Sequence, residues 1–591
     1  MSYRPRLTGL LLSLVALLGT AAAKPKPELG IYIVAHTDDW PLFMGDRVVS
    51  DLRARKHVAI IQAIAESPSP CWEQASVAAM VMAANPAAPK PPICNSANDY
   101  GVAKCTHVMI NGHSVQTCAY KSATAYFLKL PESLCPECVK AEHEAEDGFL
   151  RDGRTLKRLH KGLIQDLMAI DKSATYSSFE DVVQTIRSIA ERHSKASAAV
   201  TIHSLDPSVT ANPTDHVDHT ATGCAAATAF AKGQAPQRYY VGYGSENQPP
   251  NIPAEAAAMK QALFAEFARV SGEPDRFRGA RYTEWTKRTI YREVRAAQSA
   301  QIAGSIVFYD ATAGTGTVMD VATQCTRKYF GWRPTWSMAV TARLLGDDDQ
   351  FLLYSQRDGA GAIVSLGKKY SECVFNQWSY QSWSTISPVD FSLATASALL
   401  FYDKTAGAAH VRRIAACPVD VPVAGPYYDW RHTWLSIVSG SFFGTEKSDV
   451  LLYDPTASQM SVQYLPTSGG TPIDRGDFAI KRGAWQFVGG QFREDSHTDV
   501  FGLDTNSGQA EFLVSDGNGG FSIKSLSTGG LADVRLVLAV PLAGQNTGIA
   551  TLKTDDTFDI WAVSKDLELS RLGTFMSPGR WTLAATVDSR R

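Results

Sequence analysis

The sequence predicts two domains of different class: an α/β Rossmann-like layered domain with a parallel sheet, followed by an all-β propeller. Three observations lead there. Strand-length apolar runs alternate with amphipathic segments up to about residue 245. Helical periodicity then disappears from about residue 290, and a short motif recurs through the second half at nearly constant spacing. At 591 residues the chain is too long for one hydrophobic core, so at least two domains are required.

The first segment reads as a secretory signal over residues 1–23. Arg4 and Arg6 precede the apolar run Leu10 to Leu18, and Ala21-Ala22-Ala23 supplies small residues for cleavage. That run is too short to span a bilayer, and no later stretch has 18 uninterrupted apolar residues, so no membrane span is expected. The expected location is secreted or periplasmic. A net charge of −2 argues against nucleic acid or an anionic membrane as a general partner. Ten cysteines suit an oxidising compartment. Six of them, Cys71, Cys94, Cys105, Cys118, Cys135 and Cys138, accompany the Pro-rich run Asn85 to Pro92. The stretch 71–138 reads as a loop insertion stapled by disulfides whose pairing the sequence leaves open. Cys135-Pro-Glu-Cys138 has no second CxxC to complete a four-sulfur zinc site.

Within 24–289, the expected α/β domain, Leu29 to Ala35, His57 to Ala65, Ala198 to His203 and Arg238 to Gly244 read as strands. Trp72 to Ala84, Leu156 to Ile170 and Phe179 to His193 carry apolar residues at helical spacing. Buried strands alternating with helices predict a parallel sheet covered by helices. Ala254 to Ser271 reads as one more helix, with a connector after it.

The remainder, 290–591, is the expected propeller. Ile306-Val-Phe-Tyr-Asp310, Leu352-Leu-Tyr-Ser355, Leu400-Phe-Tyr-Asp403, Leu451-Leu-Tyr-Asp454 and Phe501-Gly-Leu-Asp504 align, with a degenerate copy near Asp555. Their anchors fall 45 to 51 residues apart, and Trp336, Trp383, Trp434 and Trp485 each precede one by 19 or 20. Such a period, with several strands per copy, is that of propeller blades. Six blades fit the length, seven being the alternative. A β-sandwich pair is the competing reading. Trp581 to Asp588 resembles the first strand of an unfinished repeat, which would close the ring on the first blade and remove an open edge.

Two motifs carry chemistry. The strand Leu29 to Ala35 runs into His36-Thr37-Asp38-Asp39, at the carboxyl end of a strand where α/β sheets place ligands. Asn212-Pro-Thr-Asp215-His216-Val-Asp218-His219 follows the strand Ala198 to His203 and opens an Ala-rich helix. His216 and His219, three apart, share a face of that helix. Together the motifs offer enough nitrogen and oxygen donors for zinc with one position left open.

At this separation and order, the two motifs resemble those of the PIG-L/LmbE family of zinc-dependent de-N-acetylases, over roughly residues 28 to 245. The resemblance implies one Zn²⁺ per chain held by His36, Asp39 and His219. It implies Asp38 as the general base and His216 as the group that stabilises the oxyanion. It further implies a secreted hydrolase that removes the acetyl group from an N-acetylglucosamine-type sugar or glycan. Asp215 and Asp218 are candidates to orient a ligand imidazole. Thr37 stands where the family has Pro, and Trp40 where it has Glu; Trp40 is a candidate substrate contact or a core filler. An amidase acting on another N-acyl substrate, or an inactive scaffold carrying a glycan-binding or adhesive propeller, are the alternatives. The blades resemble FG-GAP/VCBS-type repeats more weakly, at Gly440-Ser-Phe442 and Gly490-Gln-Phe492. Asp347-Asp348-Asp349 is a comparable acidic cluster for calcium, and solvated turns are expected instead. Ten of the thirteen histidines precede residue 290, so metal chemistry is expected in the first domain. A polysaccharide is the expected ligand of the propeller.

Overall fold

A computed structural model describes residues 26–587 apart from 68, 95–98, 134–152, 232, 234, 276, 295–301, 346–349, 367–369, 377, 379–382, 390–396, 444–448, 467–470, 494, 496, 528–530 and 544–546. The signal segment, Cys135, Cys138 and the cluster Asp347 to Asp349 lie outside these residues.

The first domain is built on an eight-stranded sheet. Its strands are β1 (Leu29–Val34), β2 (His57–Ala65), β3 (Lys104–Ile110), β4 (His113–Tyr120), β5 (Ala123–Pro131), β8 (Val200–Leu205), β9 (Gln237–Tyr240) and β10 (Tyr291–Val294). The two-residue strands β6 (Leu167–Met168) and β7 (Thr175–Tyr176) pair with each other alone. The spatial order is β10-β9-β8-β1-β2-β5-β4-β3. The five central strands from β9 to β5 are parallel to their neighbours. The flanking pairs β9–β10, β5–β4 and β4–β3 are antiparallel. The sheet is therefore mixed, a correction to the parallel sheet expected of a Rossmann-like layer. At one edge the cause is local: Asn111-Gly112 takes φ of 49° and 80°, a hairpin turn that makes β3 and β4 run oppositely.

The helices are α1 (Gly45–Arg53), α2 (Cys71–Ala84), α3 (Leu156–His160), α4 (Phe179–Ser194), α5 (Val217–Phe230), α6 (Ala254–Ser271) and α7 (Ala280–Thr286). Leu156 to Ile170 is thus helical only in its first turn and a half. Ser178 caps α4 by accepting from the Asp181 amide, and Glu180 and Asp181 complement the positive end of the helix. Ile31, Ile33, Ile60 and Ile61 from the sheet, Ala79 and Met80 from α2, and Ile186 from α4 form a buried core. The stretch 71–138 is consequently not a mere inserted loop. It contributes α2 and three strands, stapled by Cys71–Cys94 and Cys105–Cys118. The expected boundary at 289/290 also moves, because β10 closes the edge of this sheet.

Six four-stranded antiparallel sheets follow, which make a six-bladed β-propeller. The innermost strands of neighbouring blades contact each other around a closed ring. Closure is achieved by the last strand, Leu583–Val587, which pairs with Ser305–Asp310 of the first blade. The recurring tyrosine tethers three blades to the next through a carbonyl. Tyr309, Tyr402 and Tyr453 donate to the carbonyls of Arg333, Arg431 and Gly483, just ahead of the next blade's tryptophan. Trp336, Trp383, Trp434 and Trp485 are buried between blades. Cys373–Cys417 links the outer strand Ser371–Phe375 of the second blade to the turn after Ala408–Ala416 of the third. Among the described residues, no helix is long and apolar enough to cross a membrane.

Candidate metal centre

β1 and β8 are parallel neighbours, with Ile33 opposite Ser204. This pairing joins two motifs that lie 183 residues apart, counted from His36 to His219. After β1 the chain turns through His36 to Asp39 into a π-helical stretch, Trp40–Met44. After β8 it passes Asp206 and Asn212 and enters α5, with His216 as the residue that caps the helix. Gly223 lets α5 press against the end of β8. A Cβ there would come within 2.5 Å of the Leu205 carbonyl oxygen.

Three donor atoms meet at this point. His36 Nδ1 lies 3.2 Å from His219 Nε2, and His219 Nε2 lies 3.0 Å from Asp39 Oδ1. His36 Nδ1 lies 3.6 Å from Asp39 Oδ2. A tetrahedral ion with bonds of about 2.0–2.2 Å separates its donors by roughly 3.3–3.6 Å. His36, Asp39 and His219 each offer a donor atom, all within 4.8 Å of one another and so close enough to share one cation, and all three are buried.

Each imidazole has a carboxylate on its other nitrogen. His219 Nδ1 is 2.8 Å from Asp215 Oδ1, and His36 Nε2 is 3.4 Å from Asp218 Oδ2. The carboxylates are themselves held. Asp218 accepts from the Ser133 amide at 2.7 Å and its hydroxyl at 2.6 Å. Asp215 accepts from the Tyr243 amide at 3.0 Å and from the Asn212 side-chain amide. At His219 this is the arrangement that fixes the tautomer of a metal-binding histidine, while Asp218 stands at ion-pair distance from His36. His36, His216 and Asp218 form a second group of possible donors. Asp218 is already bonded to Ser133, and His216 Nδ1 accepts from the Asp218 amide at 3.2 Å, so this group serves as support.

The electrostatics are those of a site short of positive charge. Burial opposes protonation of His219, yet Asp215 and Asp39 outweigh it and push the imidazole up to about 10. Burial likewise opposes charge on His36, which Asp39 and Asp218 raise well above the ordinary histidine range. Burial would raise the Asp39 carboxyl, but His219 and His36 hold it far below the usual value. Without a cation, protons on the two imidazoles must balance the carboxylates. A divalent ion would do the same.

Two expected functional groups border the donors. Asp38 is the least buried member of the motif, and burial together with Asp39 pushes its carboxyl up to about 7. Burial and the neighbouring His36 lower His216 to about 4, so it is neutral. With Nδ1 accepting, its Nε2 carries the hydrogen and can donate. Phe43 and Tyr243 pack edge-on against His219. Trp40 takes no part at the surface of the site. It is 0% exposed and its indole N–H donates to Ser76 Oγ at 2.8 Å, which corrects the expectation of a substrate wall.

Three residues outside the two motifs also reach the site. Glu66 follows β2 and accepts from the Thr37 amide at 3.0 Å and hydroxyl at 3.2 Å. Burial pushes its carboxyl up to about 8. Ser133 follows β5, and Tyr243 follows β9. The signal that could have found them is their place just beyond the carboxyl ends of parallel strands, where such sheets bind ligands.

No family model matches the chain, and no curated protein is similar to it. Solved structures are similar over about half of the chain. The periplasmic gluconolactonase PpgL of Pseudomonas aeruginosa is 12% identical, over 48% of this chain and 99% of its own, with a TM-score of 0.29. A Lactobacillus plantarum protein is 15% identical, over 46% and 83%, at 0.30. A structure of a nidogen/laminin complex is 11% identical, over 49% and 99%, at 0.33. Likenesses at these scores carry no argument about activity. The expected PIG-L/LmbE membership is corrected here, since no family model and no curated protein matches the chain. The sugar de-N-acetylase activity and the N-acetylglucosamine substrate rested on that resemblance and fall with it, as does the FG-GAP/VCBS likeness. The two motifs are a few residues each; what they encode physically is a donor set, and a donor set does not define a family.

Proposed function

We propose that the chain is a metal-dependent hydrolase whose α/β domain holds one Zn²⁺ on His36, Asp39 and His219. One observation carries the proposal: three buried side chains whose donor atoms all lie within 4.8 Å of one another, each imidazole with a carboxylate near its other nitrogen. Two histidines and a carboxylate suit zinc, and three protein ligands leave a position open for water or substrate. When bound, zinc lowers the pKa of water towards about 7 and polarises a substrate oxygen. Asp38 accepts a proton and returns it to the leaving group, a role that suits a carboxyl raised by its surroundings. His216, neutral and with Nε2–H free to donate, stabilises negative charge developing on the substrate oxygen. Asp215 and Asp218 orient the two ligand imidazoles.

The three disulfides fit an oxidising compartment, and we assign the chain to secretion through residues 1–23. The test is metal analysis of the purified full chain, joined to a screen of esters, lactones, amides and phosphoesters with and without chelator. About one zinc per chain and chelator-sensitive turnover restored by Zn²⁺ are expected. A chain that takes up no metal, or hydrolysis indifferent to the chelator, overturns the assignment.

A further inference from the structure

Two thiols meet where the α/β domain rests on the propeller. Cys224 lies on α5, five residues beyond His219, and Cys325 lies just before the outer strand Thr326–Phe330 of the first blade. Both are free and buried. They pack together in one cluster with Ala227 and Tyr239, against Phe179 and Val294. Ala227, one turn further along α5, faces the same way as Cys224. Cys325 is held in place by its own turn, since its amide donates to Thr323 Oγ1 at 3.3 Å and its carbonyl accepts from the Asp320 amide at 2.9 Å.

The surroundings decide what such a pair does. A structural zinc needs four donors, and this cluster offers two sulfurs among apolar and aromatic groups. The remaining six described cysteines are all in disulfides. Two thiols buried in one small cluster do not persist as thiols where every other described cysteine is oxidised. We propose that Cys224 and Cys325 form a fourth disulfide, a covalent staple between the helix that carries His216 and His219 and the first blade of the propeller.

The step balances simply. A small-molecule or protein disulfide accepts two electrons and two protons and leaves as two thiols, while Cys224 and Cys325 lose their S–H hydrogens and join. The attacking group is a thiolate, and burial raises the Cys325 thiol well above its ordinary range. Exchange therefore takes place before the two domains close, and closure then shields the bond from reductants. The staple reinforces neighbouring links on the same strand. Lys157 Nζ donates to the Thr326 carbonyl at 3.3 Å, and Tyr329 donates to the Lys161 carbonyl at 3.3 Å. It joins positions 101 residues apart by number, so it constrains the unfolded chain strongly.

The test is peptide mapping of the full chain produced in an oxidising compartment, unfolded and alkylated with N-ethylmaleimide without prior reduction. A linked Cys224–Cys325 peptide pair, free of alkylation, is expected. Alkylation of both residues overturns the proposal, and so does a link from either of them to Cys135 or Cys138. Reduction of the bond should be slow in the folded chain and fast in denaturant. Cys325→Ser should leave one alkylatable thiol, at Cys224, and lower the Tm by roughly 5–15 °C. Wild-type mapping decides the matter even where that variant folds poorly.

Discussion

Asp215 Oδ1 sits 2.8 Å from His219 Nδ1, and neither side chain is exposed. The carboxylate is fixed before any metal arrives, because the Tyr243 amide and the Asn212 side chain also bond to it. The imidazole therefore presents Nε2 to the donor cluster. Asp215→Asn keeps the shape but removes the charge and can reverse the tautomer. A 10–100-fold weaker zinc affinity is expected, measured by competition with a chromogenic chelator. Asp218→Asn should act similarly through His36. Unaltered affinity in both variants would remove the orienting role.

Asp38 and Asp39 are adjacent yet should separate cleanly. Asp39→Ala removes a donor, and zinc should be lost from the purified chain. Asp38→Asn should keep zinc while turnover falls by about 10²–10⁴-fold, the usual worth of a positioned general base. Loss of metal in Asp38→Asn would make it a ligand; unchanged turnover would remove it as base.

How much of this was legible in the sequence depends on the kind of signal. The two motifs were readable because His36 to Asp39 follow a strongly apolar strand and Asp215 to His219 open an Ala-rich helix after a second strand; the choice of His36, Asp39 and His219 as ligands came from the family resemblance corrected above. The propeller was readable because the Tyr and Trp that recur in most copies perform one repeated task, bonding and filling the seam between blades. Glu66 and Ser133 were not readable. A single carboxylate or hydroxyl after a strand has no spacing of its own, and only the tertiary order of β1, β2, β5 and β8 brings them to the site. The stretch 71–138 misled because cysteines and prolines outweighed the apolar alternation of β5 and the hairpin signal of Asn111-Gly112. Trp40 carried two readings, substrate contact and core filler, and the burial beneath α2 that decides for the second is set by packing that no local pattern encodes.

The Trp40–Ser76 bond offers a stability test independent of activity. Ser76→Ala leaves the indole N–H buried without an acceptor, which costs about 1–3 kcal/mol. The Tm should fall while zinc content and KM stay as they were. A change in KM with unchanged Tm would return Trp40 to the substrate.

The propeller should show an acid limb that the metal does not control. Asp454 accepts from the Thr456 amide at 2.9 Å, the Ala457 amide at 3.0 Å and the Thr433 hydroxyl at 2.6 Å. Burial would raise its carboxyl, but the Thr433 bond and these amides hold it below the usual range; Asp504 is lowered similarly by Ser507 and the Ala484 amide. A carboxyl whose folded pKa lies below its unfolded value of about 3.9 takes its proton more readily in the unfolded chain. Its stabilisation is fully present above that value and is lost as pH falls through the folded pKa. Asp454→Asn and Asp504→Asn retain the turn but not the charge. Both should unfold at lower temperature than the parent at pH 7, and the gap should close as pH drops below about 4. The check is a Tm series from pH 7 to pH 3 on metal-free chain, so that titration at the zinc ligands is common to parent and variant. A gap that stays constant across the series would mean the carboxylates act through turn geometry alone.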